Sequence, residues 1–191
     1  MATVKGCNLP DDLLYDVENH IWFKELGDGT VRVGMTAVAT AMAGKLVAYT
    51  PKGVGKDVKA GKSCATVESG KWVGPAKVAA AGSVVAINEA LAATPSIANA
   101  DPYGEGWLII LKPEDWDSVK GGLVPGTQVA GPYEAKMTAD GFAGCGEKPA
   151  AWPGRQRPRR WSWIVQPCGV WKKTPRAPAA CSGRCQILRA C

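Results

Sequence analysis

The sequence predicts a mostly β protein, a small sandwich or flattened barrel with short helices at its periphery. Three observations point there. Short apolar runs broken by Gly-, Pro- and Asp-containing turns fill most of the chain up to Cys145. The helical candidates are short and marked by capping residues. A weak internal echo also occurs, "GKLVAYTP" at 44–51 against "GSVVAINEA" at 82–90. Two such β units packed face to face would each bury an apolar side.

The elements follow in order. "HIWFKEL" and "VRVGM" read as two strands around "GDGT", whose Asp and Gly suit the positive-φ positions of a hairpin. "TAVATAMAG" is small and apolar and reads as a short helix, and "KLVAYT" as the next strand. "PKGVGKDVKAGK" is a lysine-rich connector. "SCATVE", "SGKW", "VGPAKVAAAG", "SVVAINEA" and "GWLIILKP" continue the β pattern. Thr94 before Pro95 predicts a helix start over "SIA". "PEDWDSVKG" has acids in its first turn and Lys120 then Gly121 at its end, and "GPYEAKMTADG" reads as a third helix.

Charge divides the chain into two expected parts, a folded domain over 1–145 and a basic tail over 146–191. The first holds 13 Lys+Arg and 16 Asp+Glu, the second 10 basic residues and one acid, Glu147. The first uses 12 Lys and one Arg; the tail uses 3 Lys and 7 Arg, with four of the eight Trp and four of the seven Cys. The basic pI therefore belongs to the tail and says little about the domain. The tail has neither helical nor strand periodicity. It reads as a basic binding arm, as a metal site built on Cys168, Cys181, Cys185 and Cys191, or as translation of a GC-rich frame not selected as protein. The abrupt switch in Arg/Lys usage favours the last, so the tail is expected to be disordered or not a selected protein sequence.

Several function classes are disfavoured. No run of 18 or more apolar residues suggests a membrane span. "MATVKGCNLPDD" lacks the basic region and apolar core of a secretory signal, so a cytoplasmic location is expected. With one histidine, no phosphate loop and no metal-ligand cluster in the domain, no catalytic set assembles, and a non-enzyme is expected. Cys7, Cys64 and Cys145 are odd in number and widely spaced, which argues against a disulfide framework. Cys64 reads as a small core residue. Cys145 reads as a passive thiol, with a redox-sensitive one as the alternative.

The stretch "TVESGKWVGP" places Lys71 between two apolar-rich flanks, with "SG" as turn chemistry and Gly70 open to conformations that other residues resist. Lys71 would project into solvent from a hairpin tip. It reads as an ordinary solubilising lysine or as an attachment point, an amine that an enzyme gripping the hairpin could acylate.

"VESGKW" resembles the lipoylation site of the glycine cleavage system H protein family, usually Glu-Ser-Val-Lys. "YDVENHIW", "VRVGMTAVATAMAGKLV", "GSVVAINEAL" and "DPYGEGWLIILKP" resemble further family segments, in the right order over about residues 9 to 120. The resemblance implies a lipoyl-domain fold of the barrel-sandwich hybrid type and a carrier with lipoate joined as an amide to Lys71. It implies a ligase that reads Glu68, a cofactor site in which Ser69 belongs to the motif, and a His20 that lies near the arm. Each has a plainer reading, Glu68 as an edge charge and His20 as a surface polar residue. "DPYGEGW" is expected to be a tight turn with Trp107 packed, and Asn88 with Glu89 a turn and cap.

The departures are Gly70 for the family's Val, Trp72 for its Ala, Ile21 for the Glu after the histidine, and a basic connector for an acidic one. Trp72 could pack on the dithiolane or a partner, or pin the hairpin to the barrel. "ESGKWVGP" and "GCNLPDDLLY" look more like the lipoate-binding branch linked to the heterodisulfide-reductase-like sulfur-oxidising system. A sulfur carrier is therefore the expected role, with an H protein shuttling an aminomethyl group as the alternative. A biotin carrier is disfavoured, since such sites usually flank the lysine with Met. The implied partners are a lipoate ligase or lipoyl transferase and the heterodisulfide-reductase-like complex or the glycine cleavage enzymes. No membrane is expected, and no nucleic acid unless the basic tail takes part.

Overall fold

The computed structural model describes residues 1–146 and, further on, the strands Ser162–Ile164 and Lys172–Thr174. The expectations for the tail cysteines and for Trp152, Trp161 and Trp171 lie outside the described residues; Trp163 falls in the first of these two strands. The elements of the first unit run β1 (Ala2–Val4), β2 (Cys7–Leu9), β3 (Leu14–Asp16), β4 (Ile21–Glu25), β5 (Val31–Met35), α1 (Ala37–Ala43), β6 (Leu46–Pro51), β7 (Asp57–Val58), β8 (Lys62–Ser69) and β9 (Trp72–Val78). They continue with β10 (Gly82–Ile87), α2 (Glu89–Ala93), α3 (Ile97–Ala100), β11 (Trp107–Pro113), α4 (Trp116–Lys120), β12 (Val124–Pro125) and α5 (Ala130–Ala139). In the second unit Ser162–Ile164 and Lys172–Thr174 pair antiparallel. No helix among the described residues is long and apolar enough to cross a membrane.

The fold is mostly β, as expected. Seven strands form one sheet in the order β12-β3-β4-β5-β11-β10-β7, and β6-β8-β9 form a second. The two echo segments fall one in each sheet, as β6 and β10. Between the sheets lies a core that includes Phe23, Val33, Tyr49, Cys64, Val67, Val78, Leu108 and Leu111. A second core holds Cys7, Leu9, Tyr15, Trp22, Val38, Tyr133 and Met137, drawn from the large sheet, the β1–β2 hairpin, α1 and α5. Pro75 is tolerated in β9 because β9 is an edge strand.

Trp22 shows how closely the strands are matched. Its cross-strand partner is Gly34, and a Cβ there would fall 2.4 Å from the Trp22 ring. The glycine lets a fully buried indole lie against the strand. The indole N–H then reaches the Met35 and Pro102 carbonyls at 2.9 Å each.

Local chemistry explains most of the connections. The β4–β5 loop has Gly27 and Gly29 at φ 84 and 78, as its turn residues predict. Thr36 caps α1, accepting the Ala39 N–H, and Asn88 caps α2 through Leu91 N–H while donating to the Glu105 and Trp107 carbonyls. Asp101 accepts the Gly104 and Glu105 N–H groups to close the predicted tight turn, and Arg32 lies over the Trp107 ring. The α3 start differs from expectation. Thr94 and Pro95 form the turn through their carbonyls, which accept from Ile97 and Ala98, and regular helix begins only at Ile97 without a side-chain cap.

The cysteine expectation is corrected. Cys7 and Cys145 form a disulfide with a Cα–Cα distance of 4.9 Å, although 138 positions separate them. Their wide spacing concealed a juxtaposition made by the tertiary fold, in which the chain after α5 returns to the β1–β2 turn. There Cys145 N–H donates to Lys5 O at 3.0 Å. Cys64 is the buried core thiol predicted.

The Trp22–Gly34 contact yields a stability prediction. Gly34→Ala forces the indole off its two carbonyls, and overpacking of this kind costs about 1–3 kcal/mol. Urea unfolding of the variant against the parent chain measures it, and an unchanged midpoint would contradict this account of Gly34.

Candidate functional site

Strands β8 and β9 are joined by two residues only, Gly70 and Lys71, with Ser69 opposite Trp72. The Ser69 hydroxyl accepts the Lys71 N–H and donates to Trp72 O, each at 3.4 Å. The hairpin tip is therefore braced from inside by one largely buried hydroxyl. Gly70 does not use the conformational freedom expected of it. It is absent from the glycines with positive φ, and a Cβ there would meet nothing within 4 Å. Nothing in the structure requires glycine at this position.

Lys71 is exposed, yet it does not simply project outward. A Cβ at Gly44 would lie 3.3 Å from Lys71 Cε and 3.8 Å from Nζ, so the side chain crosses the C-cap of α1. Gly44 has φ 83, a conformation that favours glycine, and its lack of a side chain leaves room for the crossing. Lys71 borders a cleft of about 340 Å³ with Met35, Ala39, Met42 and Ala43 among its apolar lining. One side of the cleft is thus α1, and another is the hairpin.

Trp72 stands at the rim of this cleft. A Cβ on Gly74 would fall 1.9 Å from its ring, so the indole lies flat across Gly74 on its own strand. It remains 41% exposed, and the neighbouring Val73 and Val47 are more so. Two exposed apolar side chains, Trp72 and Val73, thus follow Lys71 on β9, and Val47 is exposed on the neighbouring β6. Glu68 pairs with Val73 and Ala48 in the register and does not line the cleft.

His20 lines the cleft from the strand side. It has an unusual φ of 55, and its backbone carbonyl accepts the Thr36 N–H. Its Nε2 lies 3.2 Å from Asp140 at the end of α5, and its ring lies against Tyr133 with centroids 5.7 Å apart. Nδ1 is buried without a hydrogen-bond partner among the described residues. Burial pushes the imidazole below its ordinary value, and the nearby Asp140 carboxylate opposes the shift without reversing it. The neutral ring donates from Nε2 to Asp140 and leaves Nδ1 as an acceptor. Asp140 also pairs with Lys136 at 3.0 Å, and its carboxyl is held below the ordinary range.

Of the residues singled out from the sequence, the structure gathers His20, Lys71 and Trp72 around the cleft and puts Ser69 and Gly70 in the hairpin. Glu68 faces elsewhere. Sequence reasoning missed Gly44, Gly74, Asp140 and the Met35–Met42 lining. A small residue two positions from Trp72 on one strand was a readable signal for Gly74. No local signal pointed to Asp140.

A flattened β barrel that offers a hairpin lysine beside an apolar cleft has the architecture of a lipoyl-type carrier domain. The comparisons agree. The family model described as "Glycine cleavage H-protein" matches residues 13–136. The chain is 52% identical over 134 residues to glycine cleavage system H protein 5 of Aquifex aeolicus, covering 68% of this chain and 90% of that one. It is 43% identical over 146 residues to H protein 2 of the same organism, covering 76% and 90%. A crystal structure of a glycine cleavage system H protein from Mycobacterium marinum matches with TM-score 0.58 and 33% identity, over 70% of this chain and 100% of that one. The chain belongs to the glycine cleavage H-protein family. Members carry lipoate joined covalently to a lysine, and this chain is a lipoyl carrier. The expected sulfur-oxidising branch finds no support in these names, which favour the aminomethyl alternative.

The histidine gives a clean pH test because the chain has only one. Its ring C–H proton signal is expected to titrate below the ordinary histidine midpoint, and lower still in Asp140→Asn, which removes the opposing charge. A folded pKa below the unfolded one means that the unfolded chain binds the proton first. His20 therefore contributes to stability above about pH 6.5, and that contribution is lost as pH falls through the folded midpoint. An NMR titration with a midpoint at or above the ordinary value would contradict this environment.

Proposed function

We propose that Lys71 is the lipoyl attachment site and that the chain shuttles the aminomethyl group among glycine cleavage enzymes. The observation that carries the reading is the placement of Lys71. It is an exposed amine on a two-residue hairpin whose end lies across Gly44 at the border of an apolar cleft. Acylation at Nζ removes the charge that would otherwise disfavour entry into such a cleft. Lipoate supplies a dithiolane that can be reduced, loaded and reoxidised.

The chain's own residues do the rest. The Ser69 brace and the paired strands hold the anchor still, so a tethered load has a high effective concentration at a docked enzyme. Met35, Ala39, Met42 and Ala43 offer an apolar surface beside the anchor. Trp72 at the cleft, with exposed Val73 and Val47 on the neighbouring strand surface, gives the lipoate ligase or lipoyl transferase, and then the cleavage enzymes, apolar area to grip. Glu68 marks the hairpin for the ligase.

A second reading, a sulfur load on the same arm, rests on Trp72 lying over Gly74 at the cleft mouth in place of the family's usual Ala. One preparation tests both. Protein made in a lipoylating cell should carry a lipoyl-sized mass increment that maps to Lys71 and vanishes in Lys71→Arg, with the variant's circular dichroism unchanged. A biotin-sized increment, or none, would sink the attachment proposal. The lipoylated chain should then support glycine–bicarbonate exchange with glycine cleavage enzymes. Failure there, with sulfur accepted from a persulfide donor, would favour the second reading.

A further inference from the structure

Cys7 and Cys145 take no part in the site around Lys71, yet they are placed for chemistry of their own. Their disulfide borders a second cavity, of about 320 Å³, which shares no lining residue with the first. Helix α1 stands between the two, giving Ala39, Met42 and Ala43 to one and Ala37, Thr40 and Ala41 to the other. The second cavity is more polar, with Asn8, Thr40, Asn99 and Tyr103 on its walls.

The two sulfurs are not equivalent. Cys7 is 1% exposed and belongs to the second core with Leu9, Val38 and Tyr133. Cys145 is only partly buried and follows the last helix, where Cys145 N–H to Lys5 O is the backbone bond that holds it to the β1–β2 turn. In thiol–disulfide exchange, access decides which sulfur is attacked. Here access favours Cys145.

We propose that the Cys7–Cys145 pair is a thiol–disulfide exchange site, entered through this second cavity and attacked at Cys145 by small thiols of the glutathione class. The incoming thiolate bonds to Cys145 Sγ and the bond to Cys7 breaks. Cys7 leaves as a thiolate and takes up a proton from water. A second thiol then attacks the mixed disulfide, releasing Cys145 as a thiol and leaving with the first as the oxidised thiol pair. Two thiols are oxidised and one protein disulfide is reduced. Cys7 stays in the core while the segment after α5, no longer tied covalently, keeps its backbone bond to Lys5 and the packing of Phe142. The pair is independent of the lysine proposal, because it needs neither the hairpin nor the arm.

Cys64 is an internal control, fully buried with its thiol pushed up to about 12 by burial. The full-length folded protein is exposed to excess reduced glutathione, quenched in acid, unfolded, alkylated and mapped by peptide mass, which separates Cys145 from the tail cysteines. The expected product carries glutathione on Cys145 and the alkyl group on Cys7. In native Cys7→Ser, Cys145 should alkylate on the order of 100-fold faster than Cys64. In native Cys145→Ser, Cys7 should be as slow as Cys64. Glutathione on Cys7, or a disulfide that opens only after unfolding, overturns the proposal, and so does equal reactivity of Cys7 and Cys145 in the two variants. The mapping on the parent chain decides the matter even where a variant fails to fold.

Discussion

The side-chain amide of Asn99 holds together the parts that make the site. Its oxygen accepts the Leu46 N–H at 2.8 Å, and its nitrogen donates to the carbonyls of Thr40 and Gly44 at 3.2 and 2.9 Å. One residue of α3 thereby closes the last turn of α1, fixes Gly44 and starts β6. Strand β6 pairs with β8, whose end carries the lysine hairpin. The distance between α1 and the hairpin is the width of the cleft, so the joint sets the site. Without the amide, the Leu46 N–H and the Gly44 carbonyl would lose this partner, while the Thr40 carbonyl keeps the Gly44 N–H, and a sheltered backbone group costs far more unpaired than a typical bond contributes.

Two cores divide the work of positioning. The core between the sheets contains Val67 from β8, and it makes the hairpin stiff. The second core sits on the other side of the large sheet and brings α5 up to the turn before β4 that bears His20. His20 is therefore shared. Its backbone carbonyl holds Thr36, the cap of α1, and Tyr133 donates to the same threonine hydroxyl at 3.2 Å. A change in α5 is felt at the cleft through two contacts, one electrostatic at Asp140 and one through this cap. The disulfide lies at the far end of the same core, five positions after Asp140 in the chain.

What was legible in the sequence was local. Short apolar runs, the "GDGT" turn, the Asn88 cap and the acid-led helix ending at Lys120 all depend on residues within a few positions. The lysine hairpin was legible for the same reason, and resemblance in motif order supplied its family. What escaped depended on distant partners. Asn99 sits in "SIANA" like any short polar residue, because its partners lie 53 to 59 positions away. Asp140 finds His20 across 120 positions, and Cys7 finds Cys145 across 138. Gly70 misled in the other direction. Composition suggested a left-handed turn residue, yet the two-residue loop closes without one.

The contrast between the tip and the cleft explains how one small domain can serve several enzymes. A carrier has to present its load to one partner and withhold it from water before the next. An arm anchored in the middle of a surface would do only the first. Here the amine stands at the boundary, with exposed apolar side chains on its outer side and an apolar concavity on its inner side. The amine reaches that boundary from a backbone held by the paired strands. The glycines at 44 and 74 make this possible from opposite sides. The first clears the path over α1, and the second lets Trp72 lie flat at the rim instead of standing across it. A side chain at Gly44 would crowd the end of Lys71, and one at Gly74 would displace the Trp72 ring, while the hairpin itself stayed paired. The anchor alone therefore does not define the carrier; the two bare backbone positions beside it belong to the site as well.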